Sequence, residues 1–156
     1  MIEIERKFLI RDHSFEKEAI SKRLIKQGFL STDPERTVRI RVEETKGFLT
    51  VKGISNDGGL SRFEWETPLT KQEADALFLL CLPGAIEKTR YVVPLKGLNW
   101  EIDVFYGDNQ GLVLAEVELA NPSQVFEKPS WVGAEITGQK KYYNASLSRR
   151  PFKEWQ

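Results

Sequence analysis

The chain opens with the stretch MIEIERKFLI (residues 1–10), in which apolar and charged residues alternate. Neighbouring side chains of a β-strand point to opposite faces, so residues two apart share a face. This stretch therefore predicts a strand with one apolar face and one charged face, the charged face holding Glu3, Glu5 and Lys7.

The same period of two recurs along most of the chain and predicts about eight strands. Besides the first, they cover residues 20–30, 38–43, 48–52, 60–67, 91–95, 98–105 and 112–119. The pattern predicts a mainly β, antiparallel fold with few helices.

Three helices are predicted. Thr70 followed by Glu73 is a capping box, and the helix it begins should end near Leu82, before a Pro-Gly pair. A short helix is predicted to begin near Ser14, and another is predicted over residues 140–147.

The polar faces of the strands are almost entirely charged. They comprise Glu3, Glu5, Lys7, Arg39, Arg41, Thr50, Lys52, Arg62, Glu64, Glu66, Lys88, Arg90, Glu101, Asp103, Glu116 and Glu118. One interpretation is a sheet with its charged side in water. A solvated strand face normally carries more Thr, Ser and Gln, however, and like charges two residues apart repel. We therefore favour a sheet that closes into a barrel with the charges inside.

The composition fits one ordinary globular domain of 156 residues, with 40% apolar and 29% charged residues. Lys+Arg and Asp+Glu number 23 each, so the basic excess of a nucleic-acid-binding protein is missing. The single cysteine, Cys81, excludes an internal disulfide. No signal peptide and no apolar run long enough for a membrane span are seen. We expect a cytoplasmic protein with no nucleic-acid or membrane partner.

The mixture of charges inside such a barrel suggests a ligand. The carboxylates offer hard oxygen ligands that suit Mg²⁺ or Mn²⁺. The Lys and Arg side chains offer donors for phosphate oxygens. A metal bound to a polyphosphate would use both sets.

The motif E-x-E-x-K at Glu3, Glu5 and Lys7 resembles the first strand of the CYTH family, also called triphosphate tunnel metalloenzymes. Further motifs of that family follow in order: R-x-R at Arg39 and Arg41, a strand lysine at Lys52, R-x-E-x-E at Arg62, Glu64 and Glu66, then Lys88 with Arg90, Glu101 with Asp103, and Glu116 with Glu118. Near the end, Tyr142, Asn144 and Leu147 are similar to the closing helix of the family.

The resemblance implies an eight-stranded antiparallel tunnel, open at both ends, in a single domain over residues 1–156. It also implies hydrolysis or cyclisation of a triphosphate. The implied metal ligands are Glu3, Glu5, Glu116 and Glu118, with Asp103 as a fifth. The implied phosphate-binding residues are Lys7, Arg39, Arg41, Lys52, Lys88 and Arg90, together with Arg62 unless that residue neutralises Glu64. The candidate catalytic residues are Lys7, Glu64 and Glu66, and either glutamate is a candidate general base or a structural partner of an arginine.

Two departures from the family pattern stand out. Short bacterial relatives often carry a tyrosine where this chain has Phe29. An aspartate expected near Gln139 is absent, which leaves open how the closing helix is attached. His13 is expected in a surface loop, and Trp131 and Trp155 are interpreted as packing residues or as cover for the outer faces.

The favoured function is metal-dependent hydrolysis of inorganic tripolyphosphate, since no adenine site is evident. The alternatives are a class IV adenylate cyclase, a thiamine triphosphatase and a non-catalytic polyanion-binding module. Trp65 and Trp100 suit thiazolium stacking, but their parity points outward. Because few helices are predicted to cover eight strands, we also expect a homodimer.

Overall fold

The structure is a computed structural model that describes residues 1–155. Gln156, the last residue of the predicted domain, lies outside the described range. The strands are β1 (Ile2–Ile10), β2 (Ser21–Ser31), β3 (Thr37–Val42), β4 (Lys46–Asn56), β5 (Ser61–Thr70), β6 (Ile86–Leu95), β7 (Leu98–Phe105), β8 (Val113–Glu118) and β9 (Val132–Glu135). The helices are α1 (Phe15–Glu18), α2 (Lys71–Phe78) and α3 (Asn144–Arg149).

Eight of these strands form a closed antiparallel barrel. The strand order is β5-β4-β3-β2-β6-β7-β8-β1, and β5 pairs with β1 to close the ring. Glu3 lies opposite Arg62 on β5, and Glu5 lies opposite Glu118 on β8. Closure confirms the predicted fold class and turns the charged strand faces toward the interior.

The ninth strand was missed by the sequence analysis. β9 is only four residues long and contains Gly133, so it lacks a clear alternating pattern. It pairs with the second half of β1 through Phe8 and Ile10, next to the point where β5 ends its own pairing with β1.

Helix α2 covers the outside of β3 and β4. Its capping box at Thr70 and Glu73 is formed as predicted, but the helix ends at Phe78 rather than near Leu82. Gly47 allows the close approach, since a Cβ atom there would lie 2.3 Å from the Ala74 Cβ atom.

A second outer core covers β1, β7 and β8. Trp100 and Trp131 are both fully buried there, with their ring centroids 5.8 Å apart. Phe15 from α1 and Phe126 from the connection between β8 and β9 complete this layer. Cover for the strands therefore comes from an irregular segment as well as from helices, and Trp131 is confirmed as a packing residue. On β5, Phe63 and Trp65 stay 41% and 44% exposed, and the homodimer remains a prediction.

The C-terminal segment, residues 137–155, closes part of one end of the barrel and is called the closing segment below. An apolar cluster fills that end and includes Phe29, Phe105, Leu114, Tyr142 and Leu147. The helix predicted over 140–147 is in fact a 3₁₀ turn at Lys140–Tyr142 followed by α3, because the backbone at Tyr143 is extended. The family resemblance implied a tunnel open at both ends, but in the structure this end is partly closed. Within residues 1–155, no helix has the length and hydrophobicity of a membrane crossing.

Candidate active site

The barrel holds a cavity of about 260 Å³. Nine of the predicted site residues line it: Glu3, Glu5, Lys7, Arg39, Lys52, Arg62, Lys88, Arg90 and Glu116. Arg41, Glu64, Glu66 and Asp103 do not line the cavity but form ion pairs with each other or with residues that do. Glu118 is exposed beside Glu5. The strand alternation thus located the lining, and the ion pairs show how it is organised.

Glu5 is the most electrostatically strained carboxylate of the site. Burial raises its pKa well above the usual value, and the nearby Glu116 and Glu3 raise it further. Among residues 1–155 no lysine or arginine nitrogen lies within 4.0 Å of it. The pKa of Glu118 is also raised, by burial first and by Glu3 next. Glu5 and Glu118 thus have no direct cationic partner, and hard cations bind such oxygen groups.

The carboxylates do not already form a complete metal site. Within the described range, no three Asp, Glu, His or Cys side chains converge on one point. Binding of a cation therefore requires rotation of these glutamate side chains, which their flexibility permits.

Glu3 is paired, unlike Glu5. The Lys52 ammonium donates a hydrogen bond of 3.0 Å to Glu3 Oε1 and lies 3.2 Å from Glu64 Oε2. Burial alone would raise the pKa of Glu3, but Lys52 outweighs it and the pKa is lowered. Lys52 thus links a predicted metal ligand to a candidate general base.

Lys7 and Glu116 form a second buried pair, with Nζ 3.3 Å from Oε1. Burial opposes both charges, but mutual attraction wins: the pKa of Lys7 is raised and that of Glu116 falls to about 2. Lys7 therefore presents a permanent positive charge to the cavity.

Asp103 holds two of the bases. Arg90 donates to both Asp103 oxygens, from Nε at 2.8 Å and from Nη2 at 2.9 Å, and Lys88 Nζ lies 2.7 Å from Oδ2. Burial would raise the pKa of Asp103, but Arg90 and Lys88 hold it well below its usual range. Both oxygens are used by these contacts, so Asp103, unlike Glu5, already has cationic partners.

Glu66 organises the arginines of β3. It accepts a 2.7 Å hydrogen bond from the Thr50 hydroxyl and lies 3.6 Å from Arg39 and 3.9 Å from Arg41. Burial, with Arg39 and Arg90 nearby, lowers the pKa of Arg41 to about 10, so Arg41 stays charged at neutral pH. Through these contacts, Glu66 orients Arg39 and Arg41.

Arg62 does not neutralise Glu64. Its Nε and Nη2 atoms donate to the Gly53 carbonyl at 3.1 and 2.9 Å. Within residues 1–155 it has no carboxylate within 4.0 Å, while Glu64 pairs with Lys52. Neutralisation of Glu64 is therefore not observed, and phosphate binding by Arg62 stays a prediction.

The closing segment contributes Tyr143, which the sequence analysis missed. Its ring centroid lies 5.2 Å from Lys7 Nζ and 5.7 Å from Arg62 Cζ, within the range of cation–π attraction. Its hydroxyl accepts a 3.2 Å hydrogen bond from Ser55 on β4. Tyr143 lies between a 3₁₀ turn and a helix, where strand alternation gives no signal.

Asn144 attaches the closing segment to the barrel. Its Oδ1 atom accepts a 2.9 Å hydrogen bond from Lys88 and another from Gln27. This partly buried contact attaches the closing segment to β2 and β6 without an aspartate near Gln139. Phe29 is 2% exposed and presents an apolar ring to the cavity, and His13 lies in an exposed turn as predicted.

The fold and site define a closed antiparallel barrel in which acidic and basic side chains share one cavity. The CYTH domain family model matches residues 1–152, and the chain belongs to this family. It is 41% identical over 155 residues to an inorganic triphosphatase of Acetivibrio thermocellus, covering 99% of this chain and 97% of that one. It is 36% identical over 152 residues to an inorganic triphosphatase of Nitrosomonas europaea, covering 95% and 97%.

A crystal structure of an inorganic triphosphatase is also similar, with a TM-score of 0.66 and 32% identity. The match covers 94% of this chain and 93% of the other. Triphosphatases of this family depend on a metal ion, in line with the lack of a cationic partner for Glu5 and Glu118.

Proposed function

We propose that this protein is a metal-dependent hydrolase of inorganic tripolyphosphate that releases phosphate inside the barrel. One observation carries the proposal: uncompensated carboxylates at Glu5 and Glu118 lie beside the same enclosed cavity that contains an uncompensated cation, Arg62. A ligand that carries both a divalent cation and several phosphates satisfies both, while a bare polyanion leaves the carboxylates unpaired. The names of the relatives support the same substrate.

The bases of the cavity would bind the phosphate chain. Arg90 and Lys88 are held in fixed directions by Asp103, and Lys7 is held by Glu116. Fixed cations stabilise charge on a departing phosphate without reorganising during the reaction. Arg39, Arg41, Lys52 and Arg62 complete the proposed phosphate-binding set.

Glu3, Glu5, Glu116 and Glu118 would hold the cation, with Asp103 orienting bases instead. Mg²⁺ and Mn²⁺ both suit these oxygen ligands. When bound, such an ion would neutralise phosphate oxygens and favour attack by water. Its binding would also relieve the repulsion among Glu3, Glu5 and Glu116 that the structure shows.

Glu64 is the better candidate for the general base, because it contacts the cavity-lining Lys52 at 3.2 Å and would reach the cavity by rotation of its side chain. Burial raises its pKa, which brings it closer to neutrality, where proton transfer is most effective. In the proposed step, a water oxygen attacks the terminal phosphorus, the bridging P–O bond breaks and pyrophosphate leaves. The proton released by the water passes to Glu64, while Glu66 orients Arg39 and Arg41.

The test is a substrate panel with Mg²⁺ or Mn²⁺: tripolyphosphate, ATP, thiamine triphosphate and pyrophosphate. The products to measure are phosphate, pyrophosphate and cyclic AMP. We expect phosphate release from tripolyphosphate, abolished by chelation and by Glu64→Gln, and retained in Glu16→Gln, which changes an exposed carboxylate outside the barrel. Cyclic AMP from ATP would assign the protein to the cyclases, and turnover of none would favour a binding module.

The structure does not support thiamine triphosphate over tripolyphosphate. Trp100 is fully buried in the outer core, and Trp65 lies on the outer surface. Neither lines the cavity, so neither is placed to stack on a thiazolium ring.

A further inference from the structure

The cavity meets solvent on the side of the closing segment. Four of its lining residues are themselves exposed: Pro34, Ile54, Lys140 and Arg149. Pro34 belongs to the β2–β3 connection, Ile54 to β4, and the two basic residues to the closing segment. These four residues mark a mouth beside the part of the barrel end that the apolar cluster fills.

The exposed charges at this mouth are basic and unpaired. Within residues 1–155, neither Lys140 nor Arg149 has a carboxylate within 4.0 Å. The carboxylates that line the cavity are on β1 and β8. Nearer to the closing segment, Arg62 lies against Tyr143 and has no carboxylate partner. An anion that enters at this mouth meets positive charge at the surface and again inside.

The other end of the barrel has the opposite character. Glu64, Glu66 and Glu101 keep side-chain exposures of 27%, 32% and 36%, and Glu118 is exposed. The arginines nearby, Arg23 and Arg41, are paired with Glu43 at 3.6 and 3.2 Å. Glu64, Glu66 and Glu101 are likewise paired, with Lys52, Arg39 and Arg90. The basic groups at that rim are therefore neutralised by carboxylates, whereas the exposed basic groups at the mouth of the closing segment are not.

We propose that Lys140 and Arg149 form an outer capture site for linear phosphate anions, through which tripolyphosphate enters the barrel and passes on to Arg62. This inference rests on the proposed function and adds a direction of entry to it. Charges of one sign at a cleft with low-dielectric walls raise association rates by roughly 10–1,000-fold. The closing segment thus both blocks part of the barrel end and attracts the substrate to the rest.

A matched pair of double variants tests the capture site. Lys140→Glu with Arg149→Glu reverses the charges at the mouth. Lys17→Glu with Arg150→Glu makes the same change of net charge on exposed residues that do not line the cavity. Circular dichroism and the melting temperature check folding, and Lys140→Ala with Arg149→Ala gives a milder version of the change.

We expect kcat/KM for tripolyphosphate to fall about tenfold or more in the mouth variant at low ionic strength, the lower end of electrostatic steering. The loss should shrink as salt is raised from about 0.01 M to about 1 M, because the screening length falls from about 30 Å to about 3 Å. The matched control should change little. An equal fall in both double variants, or a loss independent of salt, would overturn the capture site.

Calorimetric binding of a non-hydrolysable imidotriphosphate separates this inference from the proposed function. If the parent protein turns over no substrate yet its binding weakens only in the mouth variant, the capture site stands and the hydrolase assignment fails. If the parent hydrolyses tripolyphosphate and both double variants bind and react alike, the assignment stands and the capture site fails.

Discussion

Replacing Glu5 with glutamine should stabilise the metal-free protein while it abolishes tripolyphosphate hydrolysis. The Glu5 carboxylate lies beside Glu116 and Glu3 with no cation within 4.0 Å among residues 1–155, so its ionised form is disfavoured there. Glutamine keeps the shape and removes the charge. Relief of an unsatisfied buried group contributes about 1 kcal/mol, the lower end of the usual cost. For a chain of this size, that raises the melting temperature by roughly 2–4 °C.

Glu116→Gln is the matched control, because the same substitution should have the opposite effect on stability. Glu116 is paired with Lys7, and removing it leaves a buried ammonium without a partner. Breaking a buried pair costs about 3–5 kcal/mol. Because the two side chains keep 10% and 15% exposure, we expect the lower end, about 3 kcal/mol, or roughly 6–12 °C. Activity should be lost in both variants.

The stabilisation in Glu5→Gln should also depend on pH. The folded pKa of Glu5 is raised, so the folded protein binds the proton more tightly than the unfolded chain does, and its stability falls as pH rises above the ordinary value of 4.5. The advantage of the variant should be present at pH 7 and disappear near pH 4.5. Thermal melts of chelated protein across this range measure it. If Glu5→Gln melts below the parent at pH 7, or if both variants shift in the same direction, the charge assignment is wrong.

Three further predictions concern single contacts. Burial lowers the pKa of Lys88 to about 8, so kcat/KM should fall above that pH. Lys88→Arg should shift this alkaline fall of the pH profile to higher pH, and an unshifted profile would contradict the role of Lys88. Gly47→Ala forces a Cβ atom to within 2.3 Å of the Ala74 Cβ atom and should lower the free energy of unfolding by about 1–3 kcal/mol in a urea titration. Tyr143→Phe and Ser55→Ala remove the same hydrogen bond, so each should cost about 0.5–1.5 kcal/mol and the double variant no more than either; additive losses would show that the two hydroxyls act separately.

Strand parity carries most of what the sequence reveals. Because the side-chain period of a strand is two, alternation alone placed Glu3, Glu5 and Lys7 on one face, and the structure turns that face into the cavity. The pairings were not predictable in this way, since they depend on which strands become neighbours. Lys52 reaches Glu3 across the closure of the barrel, which a local pattern does not encode.

Residues outside the strands were the hardest to predict. Tyr143 enters the site from between a 3₁₀ turn and α3, where no periodicity ranks one residue above the next. Trp131 likewise covers the barrel from a connection without regular structure. In both cases the position of the segment follows from tertiary packing, so the contacts of Tyr143 and Trp131 become visible only once the barrel is closed.

The threefold pairing of β1 has a consequence for the order in which this molecule folds. β1 comes first in the chain, yet its partners β5, β8 and β9 extend as far as residue 135. β1 can therefore pair only after the later strands are available, and pairings between residues so far apart in the chain are slow to form. Glu5 and Glu116 come together only in that last step. A partly folded chain thus has no cavity, and the chemistry of this protein begins only when its first strand is finally joined on both edges.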